Sequence, residues 1–344
     1  MACHEISDIV VRDLCADRVC VRIILLILLK KQEGNVMPRR RIGQETLVQE
    51  PDKRSSLDEI AELIDWAPIE RQLEVIHSAP RGEASWPPLA MFRGMLLAIW
   101  HDLSDVKLAD ALDDRASFRR FCGFARTEPT PERTAFVRFR QELLRHGLDE
   151  RLFDEITARL KAKAIRIKTG TMVDATVVGS ASQGDEEARW SGHRSRKAIH
   201  GYKAHVGADA DTALVEKLAV TPGNAHDGRN GESALPDDPG DVYADSGYRG
   251  EVFGKAVRAR GGRPRVVATH VWAQSEEEAH RRLAKWNGPI HHVRCRIEKI
   301  FGTWKRSYGF RRMRWRGLAK ASLQARLTAI AYNLKRTQNI INPA

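Results

Sequence analysis

Between residues 55 and 162 apolar side chains recur at three- and four-residue spacing, which predicts a succession of amphipathic helices. Leu89, Phe92, Leu96 and Ile99 share one face after the Pro87-Pro88 break. Ser104 stands as N-cap of a second helix carrying Val106, Leu108, Ala109 and Leu112, and Thr130-Pro131 opens a third through Phe136, Phe139 and Leu143. Leu148, Leu152, Ile156 and Leu160 mark a fourth. Helices separated by short breaks imply a compact all-α domain.

Around residue 165 the period falls to two. Met172 to Val178 reads as a Thr- and Val-rich strand, and the polar stretch from Ser180 to Arg196 as a loop. Tyr202 to Ala208 and Ala213 to Val220 flank Asp209-Ala210-Asp211-Thr212 as the arms of a hairpin. Asp241 to Ala244 and Arg265 to Ala268 supply two further strands, with a helix over Glu251 to Arg258 between them, and the helical signal returns from Glu276. This order predicts an α/β (α+β) chain with a mixed sheet carrying helices on its faces, preceded by an all-α N-terminal domain. The expected division is 1–36, an extension ahead of Met37 outside the folded protein; 37–164, the helical domain; and 165–340, the sheet domain.

The 344 residues carry a formal charge of +12, which favours a polyanionic partner, nucleic acid above all. The charge is not spread evenly. From residue 281 onward there are sixteen Lys or Arg and one acid, Glu298, with Trp304, Tyr308, Phe310 and Trp315 interleaved, so the basic surplus belongs to this segment alone. The five cysteines form no CxxC pair, and the apolar run Ile23 to Leu29 falls far short of the roughly 20 residues that span a bilayer. A reducing cytoplasm is the expected compartment. Neither a Walker loop, a dinucleotide fingerprint nor a hydrolase elbow is present in the sequence. His291, His292 and Cys295 lack a fourth zinc ligand at a usual spacing.

Three acids stand out by context. Asp174 lies inside an apolar strand, where an ionised carboxylate is costly unless paired. Asp245 directly follows the strand Val242-Tyr243-Ala244, the end at which open sheets place ligands. At about 100° per residue, His291, Arg294, Glu298 and Lys305 fall in one helical stripe, opposite Val293, Ile297, Ile300, Phe301 and Trp304. Three carboxylates brought together need cations among them, because like charges raise one another's pKa. Hard divalent ions such as Mg²⁺ would serve, with Mn²⁺ as a substitute, and a pair of them promotes in-line phosphoryl transfer. Arg294 and Lys305 would then hold the DNA backbone.

These residues also carry a resemblance. Val173-Asp174-Ala175-Thr176, Gly201 to Gly207, Asn224 to Asp227, Tyr243 to Tyr248, Arg294 to Lys305 and Leu327 to Leu334 follow, in order, the motifs of the DDE transposases of bacterial insertion sequences, insertion-sequence-five group. The signature around that family's glutamate is Tyr, two residues, Arg, three residues, Glu, six residues, Lys; here Arg294, Glu298 and Lys305 keep the spacing and His291 stands at the Tyr position. The resemblance implies a ribonuclease-H-like catalytic domain and a metal-binding triad of Asp174, Asp245 and Glu298. It also implies cleavage at the terminal inverted repeats, transfer of the freed 3′-hydroxyl into target DNA, and a homodimer or larger oligomer on DNA in the nucleoid. His226, within a motif match, is open to a DNA contact or a turn role, and Lys203 to the catalytic cleft or a solvated face. Two competing functions remain: a catalytically inactive DNA-binding regulator, and a metal-dependent nuclease on the same fold.

Overall fold

A computed structural model describes residues 55–77, 86–164, 168–193 and 196–343. The expected extension over 1–36 lies outside these residues. The helical region comprises α1 (Ser56–Leu63), α2 (Ala67–Leu73), α3 (Pro88–Trp100), α4 (Asp105–Asp114), α5 (Ala116–Cys122), α6 (Arg133–Arg145) and α7 (Leu148–Ala164). Ser104 caps α4 by accepting from the Lys107 amide at 3.3 Å, and Gly123, with φ +90°, ends α5 in the left-handed conformation that suits glycine. Two expectations are corrected. Helix α6 starts at Arg133 with Glu132 as N-cap, because the Thr130 hydroxyl turns away to Asp113. Val106 is exposed, since Leu108, Ala111 and Leu112 form the face of α4 that reaches the core.

The sheet contains β1 (Gly170–Gly179), β2 (Arg189–His193), β3 (Arg196–Asp209), β4 (Val215–Pro222), β5 (Asp241–Ala244) and β6 (Arg263–Val266), ordered β2-β3-β1-β5-β6 with β4 also on β3. The β1–β3, β2–β3 and β3–β4 pairs are antiparallel, whereas β1–β5 and β5–β6 are parallel. This is the mixed, ribonuclease-H-like arrangement that the resemblance implies. Strand β2 lies inside the expected loop: with water on both sides it shows no apolar alternation to read. Strand β6 begins two residues early, because Arg263 and Arg265 both reach back to Asp241 on β5, at 2.7 and 3.1 Å, and set the register. Glycines within β3 serve close approach: a β-carbon at Gly207 would collide with the Ala234 carbonyl, and one at Gly201 with that of Val178.

Between and after the strands lie α8 (Asp227–Asn230), α9 (Glu251–Ala259), α10 (Glu276–Ser307) and α11 (Leu318–Ile341). Successive strand residues face opposite sides, and β1 divides accordingly. Met172 and Val178 join a large core with α3, α7, α10 and α11, whereas Val173 joins a smaller one with Val242, Tyr248, Phe253 and Val257. The large core runs without a break from the helical region into the sheet. Helix α11 is its centre, burying Leu323, Leu327, Ile330 and Leu334. The Trp100 indole donates to the Ala331 carbonyl at 2.8 Å, and the buried Asn333 amide both accepts from and donates to the Val215 backbone at 2.9 and 2.7 Å. That amide closes the open edge of β4 as a neighbouring strand would.

Candidate active site

Asp174 stands mid-way along β1 on the face covered by α10. The alternation that buries Met172 and Val178 sends its carboxylate under that helix. Asp245 follows the last residue of β5, and because Val173 pairs with Ala244 the two acids are level across neighbouring strands. A single guanidinium joins them: Arg294 Nη2 lies 3.1 Å from Asp174 Oδ2, and Nη1 lies 3.5 Å from Asp245 Oδ1. The Asp174 and Arg294 side chains are 21% and 9% exposed, that of Asp245 49%.

Arg294 comes from the polar stripe of α10 yet is buried, as the helical geometry explains. It sits at the edge of that stripe, only about 20° from Phe301 at about 100° per residue, so its long stem passes beneath the helix. Ile297, Ile300, Phe301 and Trp304 form the buried face, with His291 and Glu298 exposed and Lys305 half-buried. Glu298 therefore lies one turn beyond Arg294 and does not join the two aspartates. Among the described residues no set of three His, Cys, Asp or Glu is gathered as a metal site.

Burial pushes the Asp174 carboxyl up to about 6, against the pull of Arg294 and of the Ala175 amide, which donates to Oδ1 at 2.8 Å; Asp245 pushes it further up. The site thus holds more negative charge than its own cation neutralises. Tyr248, behind it, is buried with no partner for its hydroxyl, and burial, with Asp174 and Asp227 nearby, raises that phenol well above its ordinary value. Its only sequence signal is its place at the end of Asp245-Ser246-Gly247-Tyr248.

Lys203 and His205 both point inward from β3. The Lys203 ammonium donates to the Ala225 carbonyl at 2.8 Å and to Asp227 at 2.9 Å, fastening the Asn224–Asp227 turn. His226 is exposed and its Nδ1 accepts from the Gly228 amide at 3.2 Å, capping α8. Burial lowers His205 to about 4, so near neutral pH the ring is uncharged, with Nε2 2.9 Å from the Thr221 hydroxyl.

Residues 166–334 match the Transposase DDE domain, and residues 45–142 match a second family described as Transposase domain (DUF772). The chain belongs to the DDE transposases. Among solved structures the transposase is similar to a piggyBac transposase in a synaptic complex with hairpin DNA, at 10% identity and TM-score 0.40, covering 82% of this chain and 77% of that one. It is also similar to the Mos1 transposase in a paired-end complex with a left transposon end, at 13% identity and TM-score 0.19, covering 72% and 87%. No described helix of the transposase is long and apolar enough to cross a membrane. As a DDE-type enzyme it is a polynucleotidyl transferase dependent on a divalent metal ion. Its residues fit such an ion: two level carboxylates, one carrying charge that burial resists, present the oxygen donors hard cations take.

Proposed function

We propose that this transposase, of the insertion-sequence-five group, cleaves DNA at the terminal inverted repeats of a mobile element and joins the freed 3′-hydroxyl to target DNA. Asp174, Asp245 and Glu298 would hold two Mg²⁺ ions, for which Mn²⁺ can substitute. When bound, such ions activate the hydroxyl nucleophile and stabilise the leaving oxygen of an in-line displacement. The observation that carries the reading is the meeting of Asp174 and Asp245 on one guanidinium of the helix whose next turn bears Glu298.

The chain's own groups divide the remaining work. The strands fix the two aspartates in height and direction, and Glu298 follows Arg294 by one turn on the helix that covers them. Lys305 holds the DNA backbone beside the acids, whereas Arg294, expected to share that task, is buried against Asp174 and Asp245 and holds the two carboxylates instead. Lys203 keeps the Asn224–Asp227 turn in place, so that the exposed His226 meets the DNA. The helical region up to residue 164 recognises the element's ends, and two copies pair those ends in a homodimer in the nucleoid.

The test is end cleavage and strand joining on DNA carrying the terminal repeats, in Mg²⁺ and in Mn²⁺. Both steps should require Asp174, Asp245 and Glu298; full activity in Asp245→Asn refutes the triad. Cleavage without joining would make the protein a nuclease, and binding that persists in EDTA with no nicking under either ion would make it a regulator.

A further inference from the structure

A two-stranded ribbon projects past the catalytic end of the sheet. Strand β1 accompanies β3 from Thr171 opposite Asp209 as far as Gly179 opposite Gly201, but β3 begins at Arg196, so its first residues have β2 as their strand partner. Since β5 runs parallel to β1, the ribbon leaves the sheet at the end where Asp245 follows β5. From Val206, opposite Asp174, to Lys197 the strand advances roughly 30 Å at about 3.3 Å per residue.

This ribbon exposes apolar groups on both faces. Trp190, opposite His200, is 59% exposed, and Ile199, opposite Ser191, is 42% exposed. A hairpin with water on both faces is marginal alone, and its apolar tips are suited to a partner. Its charge says which kind. No Asp or Glu occurs in the sequence from Ala188 to Ala208, while Arg189 belongs to β2 and Arg196 and Lys197 to β3. A register shift between Ser191 and His193 marks a bulge, which adds twist. A twisted, cationic two-stranded ribbon matches the width of the DNA major groove and the charge of its walls.

We propose that the β2–β3 ribbon enters a groove of the DNA duplex about nine base pairs from the cleaved phosphate, for a duplex lying along β1 with about 3.4 Å per base pair. Lys197 meets the backbone, and Trp190 and Ile199 lie against the groove. The proposal rests on the transposase reading, and its experiment separates the two. Full-length protein, Trp190→Ala and Lys197→Glu are titrated with terminal-repeat DNA in EDTA over a range of salt, followed by hydroxyl-radical footprinting. Trp190→Ala should weaken binding about tenfold, since an apolar contact with the groove is lost. Lys197→Glu should reduce the slope of log affinity against log salt by about one. In both variants protection should fade about nine base pairs from the cleavage position and persist at the cleaved phosphate, with the melting temperature unchanged. Wild-type affinity, salt slope and footprint in both variants overturn the ribbon's role while leaving the transposase reading intact. Variants that break up an oligomer without altering footprint or affinity overturn it too, in favour of a second copy. Failure of the unaltered protein to bind the DNA defeats the transposase reading itself.

Discussion

Two aspartates at β1, Asp185 buried and Asp174 half-buried, meet opposite fates. Asp185, just beyond the strand, accepts from the Ser180 hydroxyl at 2.5 Å, the Tyr202 hydroxyl at 2.8 Å and the Gly317 amide at 3.3 Å. Burial alone would raise its pKa, yet these donors favour the charged form and hold it below the usual carboxylate range. Asp174 is raised instead to about 6, because burial outweighs the half-share of Arg294 that it receives. Burial alone therefore does not decide how readily an acid carries its charge. What separates the two is whether the chain itself completes the charge: Asp185 is answered from within, and Asp174 leaves room for a cation from outside.

The sharpest way to break the contrast is Asp245→Asn, which should lower end cleavage and joining by about a thousandfold or more while the fold stays intact, since bound metal supplies several kcal/mol of charge stabilisation. Retained activity would mean that the acid pair is as structural as Asp185. Next comes Asp185→Ala. Stranding two hydroxyls and an amide should reduce stability by about 3 kcal/mol in urea denaturation, with activity per folded molecule preserved.

Asp174→Asn should act in the reverse direction on stability. A carboxyl raised from 3.8 to about 6 contributes stability that is complete below about pH 4 and is lost as pH climbs through 6. In EDTA the variant should therefore match the parent near pH 4 and exceed it by about 2 kcal/mol at pH 7.5. An Asn variant less stable at pH 7.5 would show the carboxylate to be well paired after all. The smallest effect is expected of Lys203→Met, which removes a tie and not a catalytic group. It should cost about 1 kcal/mol and speed hydrogen exchange over Asn224–Asp227.

Much of this architecture is legible in the residues themselves. Apolar periodicity marks α3, α4, α6, α7 and the strands that bury a face, and both aspartates declare themselves by position: an acid in an apolar strand, an acid at a strand's end. Two kinds of feature escape such reading. Strand β2 carries no alternation because neither face is buried, and the role of Arg294 depends on a few degrees of helical rotation that place its stem under α10. The partners of Lys203 are likewise invisible in spacing, since Asp227 is brought to it by the path of β4. Motif order identifies the chemistry of the family; it does not say which cation rests against which acid.

Helix α11 follows every other described element in the chain, yet Trp100, Val215 and the inner face of the sheet all close upon it. During synthesis the acids at 174, 245 and 298 leave the ribosome before the piece that seals their scaffold. A nascent polypeptide thus carries all three proposed metal-binding acids in a form that cannot yet support them, and chains cut short ahead of Leu318 should be recovered as aggregates or fragments without activity.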